Sequence, residues 1–342
     1  MLPIPPVYKV EDRSVLLPHY KRFLVDPVLP HLPARLSPNS ITHAGHFLCL
    51  AAMLVLYPSP RPWTMAASAL LLLLYLWCDN ADGAHARRTG QASTAGEYLD
   101  HGLDLVNCVY IGVVSAAALD LDGHTRGLAM ASSIACASAT TIWEQAVTGV
   151  FRLGMLNQIE SMIFLTAVMF IDAVFGVELL ESVTVFGLSL MSCIWFFVCF
   201  SVAFGILRNV LRVGAAKKSV VPALALFGCL GAIWAAHAEG ALATVVAYAL
   251  CATSILAFGA RMLRARIFAA DPGALVTWML AATAMTVLAS SRLLSASSGD
   301  VVGVAVAAAL GTFAAVNALV IARRATSPSP SPAAVEPPRA AG

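Results

Sequence analysis

Charge is scarce in this chain: Asp, Glu, Lys and Arg make up 12% of its 342 residues, and acids and bases nearly cancel to a net +2. That balance gives no sign of nucleic-acid binding. The eight cysteines stand singly, with no CxxC pair and no companion His cluster. A zinc ribbon and a dithiol redox centre are thereby removed, and the thiols read as packing residues. No internal repeat is visible. The first 38 residues hold Pro, Lys, Arg and Asp and lack an apolar run followed by a small-residue cleavage site. No removable signal peptide is expected, and the first membrane helix directs insertion.

Apolar residues are abundant instead, at 59% of the chain, more than one water-soluble core buries. A hydrocarbon layer about 30 Å thick takes roughly 20 apolar residues per helical crossing. Segments of that kind run approximately over 40–57, 62–79, 98–119, 127–150, 158–177, 183–206, 220–236, 240–258, 273–291 and 301–322. They predict an all-α, polytopic integral membrane protein with about ten transmembrane helices. Leu16, Leu17, Tyr20, Phe23 and Leu24 recur at helical spacing around Lys21 and Arg22, which predicts an amino-terminal interfacial helix ended by Pro27 and Pro30. Cytoplasmic loops are enriched in Lys and Arg. With both ends in the cytosol, all of the 21 lysines and arginines except Arg61, Arg126 and Arg292 fall on that side, which supports an even number of crossings.

The expected organisation is an interfacial segment over 1–38, a six-helix catalytic core over 39–206, four further helices over 207–324, and a disordered Ser-, Pro- and Ala-rich tail over 325–342. Leu36-Ser37-Pro38-Asn39-Ser40-Ile41-Thr42 reads as the turn into the first crossing, with Ser40 as its cap. Asn39 there either satisfies a helix end or meets a ligand.

The chemistry is concentrated between residues 79 and 104. Asp79 and Asp82 are three apart at the inner end of the second crossing, and Asp100 and Asp104 are four apart near the start of the third. Each pair shares a helical face, and two facing helices bring the four carboxylates together. Unpaired acids at the bilayer edge repel one another and lose hydration, so such a cluster is a functional site that requires cations. Oxygen donors without sulfur select Mg²⁺ or Mn²⁺ over zinc. Two ions would clamp a pyrophosphate and neutralise the departing phosphate, as phosphoryl transfer requires. Gly83 and Gly96 leave the backbone open to a bulky donor or serve as turn residues. Arg87 offers a planar fork to a phosphate, whereas Arg88 reads as an orientation charge.

The run Asp79, Asp82-Gly83, Ala86-Arg87, Gly96, Asp100 and Asp104, with its fixed gaps between two membrane helices, resembles the signature of the CDP-alcohol phosphotransferase family. Arg87-Arg88-Thr89, Gly96-Glu97, Asp100-His101-Gly102, the Pro38 to Thr42 entrance, Trp143, Thr148-Gly149 and Arg152 to Glu160 are similar to its choline and ethanolamine branch in particular. The likeness covers at least residues 14–160; beyond that it rests on the number of helices.

The resemblance implies that Asp79, Asp82, Asp100 and Asp104 ligate two Mg²⁺ or Mn²⁺ ions, that Asn39, Gly83 and Arg87 bind the CDP-alcohol, and that His101 accepts a proton. Histidine suits that task near neutral pH, and Glu97, four residues earlier, can lie on the same face and raise its basicity. The other reading has His101 only hydrogen-bonding a metal-ligating carboxylate. The implied reaction moves phosphoethanolamine or phosphocholine from CDP-ethanolamine or CDP-choline to diacylglycerol, releasing CMP, in a homodimer whose active site faces the cytosol of an endomembrane or a bacterial inner membrane. A CDP-diacylglycerol-dependent phosphatidyltransferase of the same family is the alternative, against which His101 speaks because those enzymes typically carry Asp-Ser there. A cation transporter is the alternative from another class, but its acids would be spread over more crossings. His85 is expected to be a solvated loop residue. Glu144 replaces the amide that relatives often carry, Glu160 lines the cavity or is structural, and Asp172 is interfacial.

Overall fold

The computed structural model describes residues 9–57, 59–121, 124–268 and 274–326. Of the expected tail, Ala325 and Thr326 close the last helix and Ser327–Gly342 lies outside the described residues. The described residues open with strand β1 (Lys9–Asp12) and the short helix α1 (Leu17–Tyr20), which continues as a π-turn over Lys21–Val25. Tyr20 and Val25 point into the core while Phe23 and Leu24 stay exposed. The long helices then follow as α2 (Pro38–Leu56), α3 (Pro62–Thr89), α4 (Thr94–Ala118) and α5 (Thr125–Thr148). Strand β2 (Val150–Leu153) leads into α6 (Gln158–Phe175), the six-residue α7 (Val177–Ser182), and the paired strands β3 (Thr184–Val185) and β4 (Leu188–Ser189). Helices α8 (Leu190–Ala215), α9 (Val221–Ala238), α10 (Thr244–Phe268), α11 (Ala274–Leu293) and α12 (Ala296–Thr326) complete the all-α, multi-pass membrane fold.

Each of the ten expected crossings exists as a helix of at least 18 residues, and among the described residues nine are long and apolar enough to span a membrane. The exception is α5, whose Ser and Thr content lowers its hydropathy. Its hydroxyls are internally satisfied: Ser132 donates to Leu128 O at 2.7 Å and Thr141 to Ala137 O at 3.0 Å. Such a helix belongs inside a bundle, where small residues permit close packing. It lies against α4, α8, α9 and α10, and Gly112 of α4 abuts the Ala131 carbonyl so closely that no side chain fits there.

Several boundaries move for physical reasons. Helix α2 starts two residues early: Ser37 is extended and precedes Pro38 at the first helical position, so Ser37 rather than Ser40 is the cap residue. Helix α3 runs ten residues past its apolar segment, ending only at Gly90 in the left-handed region (φ 70°). Arg87 and Arg88 therefore sit on a helix and not in a loop. Residues 183–189, expected inside a crossing, make a tight hairpin because Phe186 and Gly187 both take positive φ, and α8 begins after it.

One buried core joins α4 and α5 to α9, α10 and α11, with Leu105, Trp143, Leu226, Ile255 and Phe258 among its members. A second packs α1, α2, α3 and α6 together through Tyr20, Leu56, Leu72 and Met162. The expected division after residue 206 falls within α8. Strand β1 pairs in parallel with β2, Lys9 opposite Val150 and Asp12 opposite Leu153, so the amino-terminal segment crosses beneath the start of α6.

Candidate active site

Helices α2, α3 and α4 meet at one end of the bundle and bring the motif together. Asp79 and Asp82 lie near the end of α3, with Asp100 and Asp104 in the first turns of α4. Single ligand atoms of Asp100, His101 and Asp104 all lie within 4.8 Å of one another. The Asp79 and Asp104 carboxyls are within hydrogen-bonding reach, and the charges of Asp79 and Asp82 both act on Asp100. Four carboxyl groups in one place, offering oxygen donors with no thiol among them, fit a hard divalent cation.

Neighbouring helices hold these acids in place. The Thr42 hydroxyl of α2 donates to Asp82 Oδ2 at 2.6 Å, while the Gly83 amide closes on Oδ1 at 2.5 Å. Gln158, at the start of α6, donates to the Tyr75 hydroxyl at 3.0 Å, and that hydroxyl donates to Asp104 Oδ1 at 3.4 Å. Asn39 Oδ1 faces Gly96, where an added methyl would come within 3.2 Å of it. The space over Gly83 is taken by the Arg87 guanidinium, 3.3 Å from where a Cβ would stand. Glu97 Oε1 lies 3.7 Å from His101 Nε2 one turn later, and the Phe151 ring lies 5.4 Å from the imidazole.

All nine motif residues thus gather at this end of the bundle. Thr42, Tyr75 and Gln158 escaped sequence reasoning because hydroxyls and amides carry no signature of their own. Their spacing does contain a hint: Tyr75 is one turn before Asp79, and Thr42 is three residues after Asn39, each on its neighbour's face.

The expectation of a solvated His85 is overturned. The ring is fully buried in α3, with Nε2 donating to Leu36 O at 2.9 Å and Nδ1 accepting from Arg88 at 3.1 Å. Arg88 also donates to Leu32 O at 2.7 Å, so both side chains fasten the approach to α2. Glu160 is structural: it accepts from the Ser14 hydroxyl at 2.6 Å and from the Val15 and Leu16 amides at 2.9 and 3.0 Å.

A cavity of about 470 Å³ opens from His101 and Asp104. Phe197, Phe200 and Phe204 of α8 give the lining an apolar side, and Arg152, Arg208 and Arg212 line the cavity as well. Glu144, 1% exposed, neutralises part of this basic group through Arg152 at 2.7 Å and Arg212 at 3.4 Å. The Asn209 carboxamide satisfies its surroundings when its nitrogen faces Glu144 Oε2 at 3.0 Å and its oxygen faces the Thr140 and Thr141 hydroxyls.

Comparison with known proteins meets this geometry at the same residues. The family model "CDP-alcohol phosphatidyltransferase" matches residues 35–184, which include every motif side chain above. The chain is 31% identical to cholinephosphotransferase 1 of Gallus gallus over 180 residues, covering 49% of this chain and 52% of that one. Its identity to cholinephosphotransferase 1 of Bos taurus is 34% over 161 residues, covering 44% and 38%. It is also 28% identical over 156 residues to the CDP-diacylglycerol--serine O-phosphatidyltransferase of Encephalitozoon cuniculi (strain GB-M1), covering 43% and 40%. The chain spans about half the length of the first of these relatives and less of the other two. Residues 35–184 are a domain of the CDP-alcohol phosphatidyltransferase family.

Proposed function

We propose that the chain is an aminoalcohol phosphotransferase that moves phosphoethanolamine or phosphocholine from CDP-ethanolamine or CDP-choline to diacylglycerol and releases CMP. The observation that carries this reading is the convergence of four aspartates from α3 and α4, of which Asp104, with His101, lines a cavity that Phe197, Phe200 and Phe204 also line. Likeness to cholinephosphotransferases over nearly half of the chain supports it. Asp79, Asp82, Asp100 and Asp104 would hold two Mg²⁺ or Mn²⁺ ions, which when bound supply the positive charge that offsets the phosphates of donor and leaving group.

The protein's own groups do the rest. Arg87 offers its guanidinium to a donor phosphate, and Asn39 offers its carboxamide beside Gly96. The diacylglycerol hydroxyl enters from the apolar side of the cavity and attacks the phosphorus that carries the amino alcohol. The phosphoanhydride bond breaks, and CMP leaves with the bonding electrons. His101 takes the hydroxyl proton, with Glu97 stabilising the resulting imidazolium. The enzyme works as a homodimer with this site on the cytosolic side, the orientation given by its basic residues.

Purified full-length chain supplied with Mg²⁺ or Mn²⁺, diacylglycerol and labelled CDP-ethanolamine or CDP-choline tests the proposal. Labelled phospholipid that requires the metal is the expected product. Failure with both aminoalcohol donors, together with product from CDP-diacylglycerol and a hydroxyl acceptor such as serine or inositol, would replace this reading with the phosphatidyltransferase one.

A further inference from the structure

Glu97 has a second partner. The oxygen that faces His101 also accepts from Nη2 of Arg266, at the end of α10 and 169 residues away in sequence. Arg266 lies beyond residue 184, outside the stretch that the family model matches. Its side chain is 12% exposed, so solvent screens the pair far less than it would a surface ion pair.

Helix register delivers this contact. Gly259 of α10 sits against Leu105 of α4, where an added methyl would overlap the leucine side chain. Gly259 precedes Arg266 by about two turns and Leu105 follows Glu97 by about two turns, spacings of roughly 10 and 12 Å at 1.5 Å per residue. Two antiparallel helices touching at both points keep one line of contact, and the missing side chain at Gly259 lets them come close enough for Arg266 to reach. An isolated pair of Glu and His one turn apart leaves the carboxylate free to change rotamer; the guanidinium fork removes that freedom.

We propose that Arg266 is a positioning residue of the site: it clamps Glu97, Glu97 orients His101, and the helices after residue 207 thereby complete the active site as well as anchoring it. This rests on the reading of His101 as the group that takes the acceptor proton.

The test uses purified full-length wild type, R266Q, R266M, R266K, E97Q and the R266Q/E97Q double variant, assayed with whichever CDP-alcohol the wild type turns over. R266M keeps the apolar stem packed should R266Q fail to fold. Each neutral variant is expected to lose about 10- to 100-fold in kcat, the range for residues that orient a functional group, with donor KM within about two-fold. R266K should recover part of the loss, and the double variant should be no slower than the slower single. Wild-type kcat in a folded neutral variant, or multiplying losses in the double variant, would overturn the clamp alone. A wild type that transfers nothing from any CDP-alcohol overturns the proposed function, and the clamp with it.

Discussion

The Thr42 hydroxyl, one turn into α2, donates to Oδ2 of Asp82 on α3 at 2.6 Å. It fixes an acidic group of the motif from a different helix and sets α2, with Asn39 three residues earlier, in register with the site. A hydrogen bond to a charged acceptor contributes about 1.5–3 kcal/mol. Thr42→Val keeps the shape and removes the donor. The metal concentration for half-maximal activity should rise by roughly ten-fold, a factor equivalent to about 1.4 kcal/mol, with the fold intact by circular dichroism. An unchanged metal titration would show that Asp82 is held by other means.

Asp100→Asn should reduce turnover to background and flatten the dependence on Mg²⁺ or Mn²⁺, because an oxygen donor and a negative charge are lost from the cluster. His101→Ala should lose about 10²–10⁴ in kcat, the usual contribution of a general base, while donor KM stays near wild type. Retained turnover in the histidine variant would return the imidazole to a hydrogen-bonding role beside Asp100.

Glu144→Gln tests the arginine group that lines the cavity. The carboxylate is buried, but Arg152 and Arg212 are each about a quarter exposed, so the loss should fall below the 3–5 kcal/mol typical of a broken buried pair. About 1–2 kcal/mol is expected, read as a lower Tm of the detergent-solubilised protein. No change in Tm would mean that solvent already screens both arginines.

The β1–β2 clasp should loosen in acid. A hydrogen bond from Lys9, and then one from Arg152, hold the Glu11 carboxyl below its ordinary value of 4.5, with burial opposing them. A lowered folded value means that the stabilisation is present above the unfolded pKa and is lost as pH falls through the folded one. Amide exchange at Lys9–Asp12, corrected for its intrinsic pH dependence, should therefore accelerate below about pH 4.5 and be flat above it. Glu11→Gln should remove that step.

How far the sequence carried these conclusions differs from residue to residue. The four aspartates were legible because their spacing places each pair on a shared helix face at two adjoining helix ends, while the parts given to Arg87, Glu97 and His101 leaned on the resemblance to the family. His85 was misread because a polar residue beside Arg87 and Arg88, past the end of an apolar run, looks solvated. Only the return of Leu32 and Leu36 to α3 encloses it. Arg266 was assigned to a loop for the same reason: α10 continues ten residues beyond its apolar segment, and a contact 169 residues distant leaves no local trace. The β1–β2 pairing was equally invisible, since four-residue strands far apart in sequence carry too little periodicity to read.

Helix α3 has 28 residues, so it is about 42 Å long at 1.5 Å per residue, against a hydrocarbon thickness of about 30 Å. In the proposed orientation its surplus turns would carry Arg87 above the acyl region on a stiff rod. In the proposed reaction a water-soluble nucleotide would meet its binding groups without entering oil and without ordering a floppy segment first, while the greasy acceptor slides in sideways. Two substrates with opposite solubilities could then wait at the same phosphorus, each still in the medium that suits it.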